Sequence, residues 1–105
     1  MLSDDAIQKK IAKELDNSGW ELKDGKLTKL FQFQSFIRAI DFVNEIATIA
    51  ERLDHHPIIT INWKTVKFSL KSFDVDAITN RDIILAKEIQ KLNDQMEKSN
   101  GNNKI

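Results

Sequence analysis

Apolar residues along this chain recur with two periods, and the changes of period mark out seven elements. Ile7, Ile11 and Leu15 fall four apart and predict a first helix. Ser3 or Asp4 stands where its N-cap belongs, with acidic residues in the first turn. Asn17-Ser18-Gly19 breaks the pattern. Trp20 to Lys23 and Lys26 to Phe33 then read as two short strands around Asp24-Gly25. That dipeptide suits a tight hairpin, because both turn positions need positive φ.

A second helix is predicted from Ser35 to Leu53. Phe36, Ile40, Val43, Ala47 and Ala50 follow helical spacing, and Ile37, Phe42, Ile46, Ile49 and Leu53 add a second strip. The apolar arc is wider than one sheet face needs, which predicts a helix held between its own sheet and something else, such as another subunit. Pro57 ends the segment, since the residue before proline avoids the helical region. Ile58 to Trp63 and Thr65 to Lys71 read as strands. In the latter, Val66, Phe68 and Leu70 alternate with Lys67, Ser69 and Lys71, one face buried and the other wet. Thr79-Asn80-Arg81-Asp82 resembles a capping box with Asp in place of Glu. The helix it opens carries Leu85, Ile89, Leu92 and Met96 on one face. The expected fold is α+β: a two-layer domain over residues 1–98, a four-stranded antiparallel sheet with three helices on one face in the order αββαββα. A flexible polar tail is expected over residues 99–105.

Charge and composition narrow the function. Sixteen basic and sixteen acidic residues cancel, which argues against direct nucleic-acid binding, since that needs a basic surplus. Cysteine is absent, so disulfides and thiolate zinc sites are excluded. No apolar run approaches the roughly 18 residues of a membrane span, and the start of the chain lacks a signal-peptide pattern. A soluble cytoplasmic protein, one that could also enter the nucleus, is the default expectation. A chain of 105 residues buries a modest core, so association with further copies is expected.

Histidine occurs twice, as His55-His56 directly before the only proline. Histidine titrates near neutrality and can both take and give protons. Read alone, the pair is either a surface loop or an acid–base pair. A zinc site would need carboxylates to complete its shell, so no metal is expected. As loop imidazoles, both are expected to contribute little to packing.

Glu51-Arg52-Leu53-Asp54-His55-His56-Pro57, then five residues to Trp63, nine to Phe73 and eight to Asp82, resembles the signature of the pterin-4a-carbinolamine dehydratase family. The similarity extends to Gly19-Trp20, Phe31-Gln32-Phe33 and Asn80-Arg81-Asp82, and covers residues 4 to 96. The resemblance implies the fold already read. It implies dimers joined sheet edge to sheet edge and, in some members, tetramers built through the long helices. It implies loss of water from a 4a-hydroxytetrahydropterin with no metal or redox cofactor. By position, His55 would be the main acid–base residue, His56 would bind and orient the pterin, and Asp54 would line the site. Lys71-Ser72-Phe73-Asp74 matches a second substrate-contacting stretch. Glu51, Pro57, Trp20, Trp63, Arg81 and Asp82 would support the site, Asp82 as capping carboxylate or second contact and the tryptophans as core or pocket walls. Phe73 departs from the pattern, standing where the family has His or Trp. Some similar proteins also act as dimerisation cofactors for a transcription factor, so a protein-binding role is the alternative expectation.

Overall fold

The computed structural model describes the backbone of residues 1–102 and the side chains of residues 1–98. Ser3 opens α1 (Asp4–Glu14) by accepting the Ala6 N–H at 3.1 Å. β1 (Glu21–Lys23) and β2 (Lys26–Gln32) meet at a hairpin in which Asp24 and Gly25 have φ of 51° and 72°, the left-handed pair that this turn requires. Ser35 caps α2 (Phe36–Leu53) through the Arg38 N–H. That helix ends on Asp54 in the left-handed conformation (φ 50°, ψ 43°), and the His55 N–H returns to the Ala50 carbonyl at 3.1 Å. β3 (Ile58–Asn62), β4 (Thr65–Leu70) and α3 (Asn80–Asn102) complete the order αββαββα. Trp20, Phe33, Trp63 and Lys71, expected at strand ends, each lie one residue outside. Trp63 is a turn residue, with φ of 53°.

The sheet runs β1-β2-β4-β3 and is antiparallel throughout. One face is covered by the helices. Val66, Phe68 and Leu70 of β4 and Leu27 and Phe31 of β2 are buried beneath them, and Phe42 of α2 packs its ring against Phe31 and Phe68 at 5.6 and 5.8 Å. Lys29 shares that inward face of β2. Its Nζ reaches Gln90 Oε1 at 2.6 Å and the Ser18 carbonyl, while Trp20 Nε1 donates to the same Gln90 oxygen at 3.1 Å. Burial lowers the Lys29 pKa.

The wide apolar arc of α2 divides in two. Ala39, Phe42, Ile46 and Ala50 are buried, whereas Phe36 and Ile37 are 47% and 66% exposed. The chain's own sheet covers only the first group. Of the tail expected over 99–105, the backbone of 99–102 continues α3, and residues 103–105 lie outside the described residues.

Candidate active site

Strand register decides which loops meet. Ile58 pairs with Ser69, so β3 begins where β4 ends, and His55-His56-Pro57 share that end of the sheet with Ser72-Phe73. The start of α3 closes the group. Asp82 is fully buried there, and its Oδ1 lies 2.5 Å from His55 Nε2. Asp82 Oδ2 accepts the Thr79 N–H and the Ser72 hydroxyl, each at 2.9 Å. The Thr79 and Ser72 hydroxyls are 2.7 Å apart, and Thr79 Oγ1 accepts the Arg81 N–H at 3.2 Å. The expected capping box is therefore present, and its carboxylate also holds an imidazole.

His55 is only 8% exposed. This corrects the expectation of a loosely packed loop imidazole: the turn at Asp54 directs His55 inward onto Asp82. His56 points outward instead and pairs with the exposed Glu51 carboxylate one helical turn back. Adjacent histidines thus sit in two environments, each beside a carboxylate. A carboxylate on Nε2 favours the neutral tautomer that carries its proton there, with Nδ1 of His55 as the ring nitrogen without one.

The second expected stretch also splits. Ser72 is fully buried and serves Asp82. Its inward phase was legible, because it continues the alternation of Val66, Phe68 and Leu70. Phe73 is 57% exposed, with Lys71 Nζ 5.8 Å from its ring centroid. Two ion pairs pin the loop: Lys71 with Asp76, and Arg81 with Asp74 at 2.7 Å. A hydrogen bond from Arg81 lowers the Asp74 pKa, and one from Lys71 lowers that of Asp76. Asp54 and Pro57 border the histidines in sequence, Asp54 exposed and Pro57 half-buried.

The tryptophans stand apart. Trp20 belongs to the core, edge-on to Phe31 at 6.0 Å. Trp63 occupies the far end of β3, roughly 16 Å from Ile58 at the usual strand rise, and is 68% exposed beneath Lys64 Nζ. Size alone does not mark the site: a cleft of about 660 Å³ lies between α1 and α3, lined by residues such as Leu15, Ile84 and Lys87. What singles out the histidine end is its convergent polar groups. Among the described residues, no three His, Cys, Asp or Glu side chains gather as a metal would require.

Fold and site together define a small α+β domain with a carboxylate-held imidazole at the open end of its sheet. Residues 1–92 match the family model described as pterin 4 alpha carbinolamine dehydratase, and the chain belongs to that family. A protein of Mycolicibacterium vanbaalenii, named provisionally as a pterin-4-alpha-carbinolamine dehydratase, is 42% identical over 74 residues, covering 70% of this chain and 80% of the relative. The crystal structure of a transcriptional coactivator/pterin dehydratase from Brucella melitensis superposes with a TM-score of 0.75 at 28% identity, covering 86% of this chain and 95% of that one. A pterin dehydratase-like protein identified as a RuBisCO assembly factor in the alpha-carboxysome shares the fold, with a TM-score of 0.59 at 22% identity over 70% of this chain and 88% of that one.

Proposed function

We propose that the chain dehydrates a 4a-hydroxytetrahydropterin to the quinonoid dihydropterin plus water, in pterin recycling. The observation that carries this reading is the buried His55–Asp82 pair beside the exposed His56–Glu51 pair. In the reaction the C4a–O bond breaks and the hydroxyl leaves as water after taking a proton. The N5–H proton departs, and its electron pair forms the C4a=N5 bond. One proton is given and one taken at neighbouring atoms, which suits an imidazole with one nitrogen anchored and the other free. His55 takes that part through Nδ1. His56 and Asp54 hold the pterin, and the exposed ring of Phe73 offers its flat face a surface. The chemistry asks for no metal or redox cofactor, and the protein works in the cytoplasm as a homo-oligomer.

The test is a dehydration assay on freshly generated carbinolamine, wild type beside His55→Ala. We expect turnover to fall by about two to four powers of ten, the usual worth of a general acid–base group. Unchanged turnover in a folded variant refutes the assignment.

A second reading, a dimerisation cofactor that binds a protein, is favoured by the exposed Phe36 and Ile37 on α2. Full loss of dehydratase activity in wild type would favour it.

A further inference from the structure

The core stripe of α3 contains one polar residue. Leu85, Ala86 and Ile89 are fully buried, and helical spacing continues their stripe through Asn93 to Met96. Asn93 is 6% exposed, yet among the described residues its carboxamide has no hydrogen-bond partner. A carboxamide carries two donors and an acceptor oxygen with two lone pairs, and burying it unpaired costs stability. No side-chain nitrogen or oxygen among the described residues is sealed off without a partner, so the Asn93 amide opens onto the cavity that it lines.

That cavity holds about 390 Å³, toward the lower end of the range for small-molecule sites. Gln32, Phe33 and Gln34 at the end of β2 line one side, Asn93, Met96 and Glu97 of α3 line another, and Arg38 of α2 closes a third. The Phe33 ring is backed by Phe42, with centroids 5.0 Å apart, and Met96 adds a polarisable thioether. Both offer apolar surface to a flat ring. Gln32 pairs with Thr65, whereas the Leu27–Leu70 pair marks the histidine end of the sheet. Roughly 17 Å of strand separates the two ends, so the cavity is no part of the histidine site.

Asn93 and Glu97 stand one helical turn apart on the same face of α3. A carboxamide can donate to a carbonyl, and a carboxylate accepts from N–H groups in charge-assisted bonds. Side by side, they complement a ring edge that carries a carbonyl, a ring N–H and an amino group in succession. We propose that this cavity binds a flat heterocycle with a 2-amino-4-oxopyrimidine edge, which the six-membered ring of guanine shares with pterins. Asn93 donates to its carbonyl, Glu97 accepts from its ring N–H and amino groups, and Phe33 supports its face. Occupancy of the cavity stands or falls independently of the chemistry at His55.

NMR of the Asn93 side-chain amide tests this with three probes: guanosine, inosine, which lacks the 2-amino group, and 7,8-dihydropterin. We expect guanosine and dihydropterin to shift the Asn93 signals saturably, and inosine to bind about tenfold more weakly than guanosine. The tighter of the first two identifies the source of the edge. Asn93→Leu should melt no lower than wild type, because an unpaired amide leaves the core, and guanosine should no longer move the Met96 methyl signal. Asn93 signals unmoved by all three probes at millimolar concentration mean a cavity filled by solvent only and overturn the proposal. So does a guanosine response at Met96 that survives in Asn93→Leu. Glu97 is exposed, so Glu97→Gln should fold as wild type does. Guanosine must there lose most of its advantage over inosine, and an advantage retained removes Glu97 from the site. Dihydropterin shifts confined to His56 and Phe73 leave the dehydratase reading standing and overturn this one.

Discussion

Asp82 and His55 meet 2.5 Å apart, almost wholly out of water, and the same carboxylate caps α3 through its other oxygen. A helix terminus and an imidazole are thereby fixed by one side chain. Asp82→Asn keeps the shape and removes the charge. Its amide can donate where the acid accepts, so one partner is left mismatched. We expect a loss of about 2–3 kcal/mol in stability, and a 10- to 100-fold fall in turnover with KM little changed. Chemical denaturation and steady-state kinetics on the same preparation check both. An altered pH–rate profile separates a positioning role from a purely structural one. His55→Ala should also cost about 2 kcal/mol, because it strips a buried carboxylate of a partner.

The loop that carries Phe73 is held by acids whose pKa values lie below the ordinary range, Asp74 through Arg81 and Asp76 through Lys71. Groups depressed by folding stabilise it above their unfolded pKa, near 3.9 for aspartate. That contribution disappears as pH falls from there through the depressed folded values. Both acids are exposed, so salt weakens the pairs. Amide exchange at Val75 and Ala77, whose N–H groups both donate to the Ser72 carbonyl, should stay constant from pH 7 to 5, after correction for intrinsic rates, and lose protection below about pH 4. Arg81→Ala should show part of that loss already at pH 7.

A chelator should leave the rate intact. The chain supplies two histidines and no thiol, and both imidazoles already bond to carboxylates. Dialysis against EDTA followed by assay checks this. A loss restored by zinc would overturn the acid–base account.

Much of this was legible before any coordinates. Period changes gave the seven elements, and Asp24-Gly25 gave the first hairpin, because those signals act within a few residues. The capping box at Thr79 to Asp82 was equally local. The sequence did not reveal that Asp82 reaches back to His55, 27 positions away. That contact depends on Asp54 adopting a left-handed turn, and aspartate adopts one only where context favours it. The burial of Ser72 was present in the β4 alternation but was masked by its place in a substrate-contacting stretch. In the sequence Trp63 has the look of a core or pocket-wall residue, because tryptophan is usually buried. The two-residue turn between β3 and β4 holds it in solvent instead.

Phe73 is where the chain departs from the family pattern, and its exposure sharpens the test. A core phenylalanine would cost about 3–5 kcal/mol on truncation, and this ring, 57% exposed beside Lys71, should cost far less. Stability and binding can therefore be read separately on one variant. If the ring supports the flat pterin, Phe73→Ala should weaken binding of a dihydropterin by roughly 1–3 kcal/mol, by analogy with base–aromatic stacking. The melting temperature should move by a degree or two at most, and turnover at saturation should fall less than affinity, because phenylalanine transfers no proton. Phe73→Trp should restore binding, since it returns a larger flat surface. Phe73→His would add a third imidazole at the same end of the sheet, and if that ring shares proton transfer, the rate rises and a second ionisation enters the pH profile. Titration with dihydropterin and a thermal melt on the same protein decide the matter: unaltered affinity in Phe73→Ala removes the ring from the site and leaves pterin contact to His56 and Asp54.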